Sequence, residues 1–335
     1  MASKLTLAAC GITLLTGSAA QAFQAPGENA VSIAPRIKRA TLSNPDPNPG
    51  EPPPAELRVD SALVEVPAHV TREDGTTLTN LAPENFHVFE DGVEQKITHF
   101  TRDDAPLSVG LLFDSSGSMR DKMQKSLQAT DAFFKTANAQ DEFFLVEFSE
   151  RPKLTVPFTA DPGQIYQRIL HMRPFGRTSL LDAIHLALQQ MKNARNARKA
   201  IVIVSDGGDN RSRYTAREIK SGMLESDVQL YAMGIFDSPG KESKKLPSEE
   251  KNGPRLLDEL AEQSGGRHYP VGDLDELPSI SENISRDLRN EYVIGYSPSN
   301  ESRDGKYRQI KLQVSAPDAS RIRTDYRRGY YAPAQ

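Results

Sequence analysis

Ser108-Val109-Gly110-Leu111-Leu112-Phe113, followed at once by Asp114-Ser115-Ser116-Gly117-Ser118-Met119, sets the fold of this chain. The first six residues have the length and composition of a strand buried on both faces. From Met119 to Asn138, Met123, Leu127, Thr130, Phe133, Phe134 and Ala137 recur at helical spacing, so a strand-to-helix turn is predicted between the two. In an open parallel sheet such turns lie at the carboxyl ends of the strands, where ligand sites form. A helix N-cap requires one side-chain oxygen, whereas Asp114, Ser116 and Ser118 present three at alternate positions. On this stretch alone, capping and ligand binding both stand.

Outward from that turn the pattern alternates. Glu142 to Phe148 reads as a strand and Leu154 to Phe158 as an edge strand, because Pro157 cannot donate to a ladder. Helices are expected at Pro162–His171 and Ser179–Ala194, with Arg173-Pro174-Phe175-Gly176-Arg177-Thr178 between them. Ala200 to Ser205, the most apolar strand, ends at Asp206-Gly207-Gly208-Asp209. A helix at Thr215–Leu224, a strand at Val228–Phe236, a helix at Leu256–Gln263, a strand at His268–Val271 and a helix at Asp275–Leu288 follow. The fold class is therefore α/β, a doubly wound and mainly parallel sheet covered on both faces, over residues 105–290. Residues 237–254 read as a charged surface linker.

Both flanks have the texture of β-structure. Leu57, Val59, Ala62, Val64, Val66, Ala68 and Val70 broadly alternate with polar residues up to Asp74-Gly75, and Phe86 to Glu90 leads into Asp91-Gly92 and then Val93 to Phe100. Two hairpin signals without a helix define an antiparallel module at 57–104. Tyr292–Tyr296, Arg308–Val314 and Ile322–Tyr326 are strand-like too, with Asp304-Gly305 as a turn linking the first two. Residues 291–335 are expected to pair with the N-terminal module in one β-sandwich, with the α/β unit inserted.

The chain has 335 residues, enough for about two domains and a substantial core, and a net charge of -4, which gives no sign of a nucleic-acid partner. Lys4, the apolar stretch Leu5–Leu15 and the small residues ending in Ala20-Gln21-Ala22 read as a secretory signal peptide over 1–22, cleaved after Ala22. The apolar stretch is shorter than the ~20 residues a membrane span needs. A secreted or periplasmic location and no transmembrane helix in the mature chain follow as expectations. Leu7-Ala8-Ala9-Cys10 resembles a lipoprotein cleavage box but lies very early. Cys10 is the sole cysteine, so the mature chain would have neither disulfides nor thiol chemistry. The Pro-rich residues 23–56 read as a disordered spacer.

Three strand or loop ends carry matching polar groups: Asp114, Ser116 and Ser118; Thr178; and Asp206. Hydroxyl and carboxylate oxygens without imidazole or thiolate suit a hard cation such as Mg²⁺, with Mn²⁺ or Ca²⁺ as alternatives. Asp114-x-Ser116-x-Ser118, Thr178 before Ser179-Leu180-Leu181-Asp182-Ala183, and Ser205-Asp206-Gly207 resemble the metal-ion-dependent adhesion site of von Willebrand factor type A domains. The flanks, Glu84 to Gly92, Arg303 to Arg308 and Gly329 to Pro333, are similar to a group of exported type A proteins abundant in acidobacteria. The resemblance implies that Ser116, Ser118 and Thr178 coordinate the metal directly or nearly so. It implies that Asp114 and Asp206 bind directly or through water, and that one position is left for an acidic side chain of a protein partner. Arg177 departs from the small residue common there, which bears on partner choice and metal affinity. Asp182 reads as an early-helix carboxylate favoured by the helix dipole and Asp209 as shaping the Gly207-Gly208 turn, with support of the cradle the alternative for both.

The resulting expectation is an exported binding module rather than an enzyme. No histidine lies in the three motifs, His171, His185 and His268 read as packing or surface residues, and no nucleophile elbow, dinucleotide fingerprint or P-loop occurs at the site. The alternatives are a metal-assisted hydrolase and a structural component of a cell-envelope assembly.

Overall fold

The computed structural model describes residues 63–73, 75–102, 104–236, 248–316 and 322–334. The expected signal peptide, Cys10, the expected Pro-rich spacer, the start of the first strand pattern and residues 237–247 of the expected linker lie outside the described residues.

The N-terminal flank forms β1 (Val64–Arg72), β2 (Phe86–Glu90), β3 (Val93–Gln95) and β4 (Ile97–Thr101). The central part forms β5 (Leu107–Asp114), α1 (Met123–Phe134), β6 (Glu142–Phe148), β7 (Lys153–Thr159), α2 (Pro162–Leu170), α3 (Leu180–Met191), β8 (Arg198–Ser205), α4 (Ala216–Ser226), β9 (Gln229–Ile235), α5 (Ser248–Ser264), β10 (His268–Val271) and α6 (Leu277–Arg289). The C-terminal flank forms β11 (Tyr292–Tyr296), β12 (Tyr307–Val314), β13 (Ile322–Tyr326) and β14 (Gly329–Tyr331).

The central sheet has the order β10-β9-β8-β5-β6-β7, parallel except for β7, which runs antiparallel along the β6 edge. Every residue of β5 is buried, and its side chains split between two cores by the period of two. Val109, Leu111 and Phe113 join α1, α2 and α6 on one face. Leu112, with Phe144 and Ile203, meets α3, α4 and α5 on the other. From β5 the chain moves out through β6 and β7, then returns to lay β8 on the opposite side of β5. The β5/β8 boundary is therefore the switch point of the doubly wound sheet, and its carboxyl-end crevice lies beyond Asp114 and Ser205.

Both ends of the chain build the sandwich, as expected. One sheet is β13-β1-β11-β4 and the other β14-β12-β2-β3, so N-terminal β1 lies between two C-terminal strands and β2 pairs with β12. The Asp91-Gly92 turn closes β2 onto β3 with both residues at positive φ, the geometry a two-residue hairpin demands. Glu90, buried in the core, accepts hydrogen bonds from the hydroxyls of Tyr296 (2.8 Å) and Tyr330 (2.9 Å), which ties the two sheets together. Between sandwich and α/β unit lies a buried polar layer. Arg267 Nε donates to Asp325 Oδ2 at 2.9 Å and its Nη2 to Thr71 Oγ1 at 3.1 Å, while Arg198 pairs with Glu291 at 2.9 Å.

Several local expectations are corrected. The helix predicted from Met119 begins at Met123, after a 3-10 turn at Gly117–Met119. Residues 248–254 belong to α5 rather than to a linker, because Pro254 falls within the helix without ending it. The run Val93–Phe100 divides into β3 and β4, which join different sheets. Asp304-Gly305 does not close a hairpin; β11 and β12 lie in different sheets, so the connection crosses the sandwich.

Tyr296→Phe removes one of the two donors to a buried carboxylate and is expected to cost about 1–3 kcal/mol in urea unfolding. Tyr331→Phe, at a partly exposed ring, serves as the neutral control.

Candidate metal centre

β5 and β8 run in register, Phe113 beside Val204, so Asp114 leaves the sheet next to Ser205. Ser205 Oγ donates to Asp114 Oδ2 at 2.5 Å, and the Ser116 N–H donates to Asp114 Oδ1 at 2.8 Å. Ser205 Oγ also accepts from the Gly207 N–H at 3.0 Å, and Asp206 Oδ1 accepts from the Gly208 N–H at 3.3 Å. Ser116 Oγ and Ser118 Oγ lie 3.1 Å apart. Asp114 and Ser116 are buried and Ser118 is exposed, so the hydroxyls rise from the sheet end toward the surface.

Asp114 and Asp206 are buried near one another, and neither is in an ion pair among the described residues. Burial, reinforced by the negative charge of Asp206, pushes the Asp114 carboxyl up to about 7, against the lowering effect of its hydrogen bonds from Ser116 and Ser205.

The third motif arrives on the α2–α3 connection. The Phe175 N–H donates to the Ser115 carbonyl at 2.9 Å, and the Gly117 N–H donates to the Gly176 carbonyl at 3.1 Å. Thr178 is buried and bound on both sides of its peptide to Asn210, whose Oδ1 accepts from the Thr178 N–H and whose N–H donates to the Thr178 carbonyl, each at 3.1 Å. The Thr178 hydroxyl itself makes no hydrogen bond to another described residue. The structure thus brings the loops of Asp114, Ser116, Ser118, Thr178 and Asp206 to one end of the sheet. The capping reading of the first motif fails, since α1 starts beyond it at an N-cap, Lys122, with no side-chain cap.

Asp182 and Asp209 join these loops from opposite sides. Asp182, in the first turn of α3, accepts from the N–H groups of Arg213 (2.8 Å) and Tyr214 (3.1 Å). Asp209 accepts from the Leu181 N–H at 2.9 Å. Each therefore braces the neighbouring motif's loop. Ser205 and Asn210 are participants that motif spacing does not reveal, because their roles depend on strand register and on a loop that folds back. Gly253 of α5 is a third. A Cβ there would lie 2.7 Å from the Gly207 carbonyl group, so helix α5 rests its backbone directly on the Asp206-Gly207 turn. Gly207 itself holds φ +74°, a conformation other residues adopt with strain.

The histidines lie in packing or surface positions. The His185 ring stacks on Tyr214 at 3.9 Å, His268 is buried with Nδ1 2.7 Å from Asp258, and His171 is exposed on α2's end. Among the described residues no three His, Cys, Asp or Glu side chains gather as a metal-binding group. The donors assembled at the sheet end are instead two carboxylates and three hydroxyls, a set that fits a hard cation.

That segment has a recognisable relation. Residues 109–208 match the von Willebrand factor type A domain. An uncharacterised protein of Borreliella burgdorferi is 23% identical over 199 residues, 54% of this chain and 57% of the relative. The chain thus spans just over half the length of that curated relative. Among solved structures, a von Willebrand factor type A protein from Catenulispora acidiphila is 13% identical, covering 75% of this chain and 73% of the other, with a TM-score of 0.47. The vWF domain of the type V pili tip protein Mfa5 from Porphyromonas gingivalis is 12% identical, covering 55% of this chain and 95% of the other, with a TM-score of 0.43.

Gly253→Ala is expected to destabilise the chain by about 1–3 kcal/mol, because the added methyl must displace either α5 or the Asp206 turn. Denaturant unfolding measures this directly. A cost near zero would mean that α5 does not bear on the type A segment's turn.

Proposed function

We propose that the chain is an exported binding module whose Asp114, Ser116, Ser118, Thr178 and Asp206 hold a divalent cation, Mg²⁺ by preference, and present it to a carboxylate of a protein partner. The observation that carries this reading is the pair of buried carboxylates at the β5/β8 switch point, with no ion-pair partner among the described residues and three hydroxyls on the loops around them. A cation bound there offsets the charge of the two carboxylates and leaves an electrophilic face for a ligand oxygen. Asp114 is held in place by Ser116 and Ser205, Thr178 by Asn210, and the Asp206 turn by α5, so the donors are fixed before any ligand arrives.

The donor chemistry favours binding over catalysis. No imidazole or thiol stands on the three loops to move a proton, since the described histidines all lie in other segments. Export rests on the sequence of residues 1–22. No helix among the described residues is long and apolar enough to cross a membrane.

Mg²⁺ at a hundredfold excess over its dissociation constant is expected to raise the unfolding free energy by about 2.7 kcal/mol. Ser118→Ala and Thr178→Val, which remove a donor without unpairing a buried carboxylate, should abolish most of that gain while leaving stability in EDTA unchanged. A melting temperature indifferent to Mg²⁺, Mn²⁺ and Ca²⁺ in the unaltered chain would defeat the reading.

A further inference from the structure

We infer that the loops around the Asp114–Thr178–Asp206 cradle form a cationic rim that selects an acidic protein segment, one whose further carboxylates flank the one taken up at the cradle and which carries an apolar side chain for Phe175. The inference rests on the metal-centre reading and adds the class of partner.

Arg120 lies two residues beyond Ser118, Arg173 and Arg177 flank Phe175 on the Thr178 loop, and Arg211 follows Asn210. Arg151 lies on the β6–β7 turn. That turn is joined to the same end, since Ser179 Oγ donates to the Ser149 carbonyl at 2.8 Å and a Cβ at Gly176 would lie 2.7 Å from Glu150. The backbone hydrogen bonds Phe175 to Ser115, Gly117 to Gly176 and Asn210 to Thr178 place these loops side by side. All five arginines have exposed or solvent-facing side chains, and none is in an ion pair or side-chain hydrogen bond with a described residue. Elsewhere in the molecule arginines are commonly matched, as in Arg168–Glu147, Arg195–Glu142, Arg289–Asp141 and Arg328–Glu262.

The acids on these loops do not cancel the rim. Asp182 is matched by Arg213, and Asp209, braced by backbone N–H groups, keeps its charge, so Glu150, Asp121 and Asp209 are the carboxylates that stand beside five unpaired guanidinium groups. On a chain of net charge -4, once a divalent cation offsets Asp114 and Asp206 the five arginines outnumber the remaining acids of these loops, and the mouth of the site takes a sign opposite to that of the whole molecule. Guanidinium forks match carboxylates in pairs of hydrogen bonds, and a field of one sign raises the encounter rate with the opposite one. Phe175 decides between kinds of acid. It is 59% exposed, although its own N–H fixes it to the wall of the site. A uniformly anionic polymer leaves that ring in water, whereas a peptide with one apolar residue covers it.

The test uses the full chain and a fluorescein-labelled Glu-rich peptide bearing one Leu. The control is the same peptide with all but one Glu changed to Gln, and polygalacturonate serves as a competitor. Anisotropy is read in Mg²⁺ and in EDTA, with the Mg²⁺-induced melting shift recorded in parallel. The Glu-rich peptide should bind in Mg²⁺ about tenfold more tightly than its control, the size expected of two or three exposed ion pairs. The Arg173→Glu, Arg211→Glu double variant should lose that preference and keep the Mg²⁺ shift. Equal binding of the two peptides with the Mg²⁺ shift intact would overturn the rim and leave the metal centre standing. Competition by polygalacturonate as strong as that of the unlabelled peptide would overturn the protein-segment assignment. An absent Mg²⁺ shift, or peptide binding unchanged in EDTA, would overturn the metal-centre reading and the inference with it.

Discussion

A strand buried along its whole length must hand its last polar residue to the protein rather than to water. β5 is such a strand, and it ends on Asp114. Its neighbours β6 and β8 lie parallel on either side and helices cover both faces, so the carboxylate emerges only at the sheet's carboxyl end, beside Ser205 and close to Asp206. Two buried carboxylates together are unfavourable without a compensating charge. The loops around them supply hydroxyls and N–H groups. That unmet charge is the reason to regard the sheet end as a cation site.

Precision at this end comes from reciprocal bracing. Asp182 reaches from α3 to the loop after β8, and Asp209 reaches from that loop back to the start of α3. Asn210 closes the same pair of segments through the Thr178 peptide. On the far side α5 presses the bare backbone of Gly253 against Gly207. The sandwich lies apart from these loops and is joined to the α/β unit through Arg267, Asp325, Arg198 and Glu291.

Much of this was legible in the chain itself. Apolar runs of strand length alternating with helical periodicity predict the parallel sheet, and Pro157 predicts its edge strand, because these signals depend on burial and on missing donors alone. The pairing of the two flanks was legible from their similar texture, though not their registers. What escaped are features set by distant contacts. Pro254 sits inside α5 rather than ending a linker, Lys96 separates two strands of different sheets, and the Asp304-Gly305 turn serves a crossing between sheets. At the candidate site, Asp114, Ser116, Ser118, Thr178 and Asp206 were proposed from their motifs. Ser205, Asn210 and Gly253 were not, because hydrogen bonding across strands and helix-to-loop contact leave no periodic mark in the sequence.

The most direct test of the central claim is an anomalous difference map from crystals of the full chain grown with Mn²⁺. The account predicts one peak in contact with the hydroxyls of Ser116, Ser118 and Thr178, beside Asp114 and Asp206. Crystals that diffract well but show no peak there, or show the Mn²⁺ bound at another cluster, would contradict it.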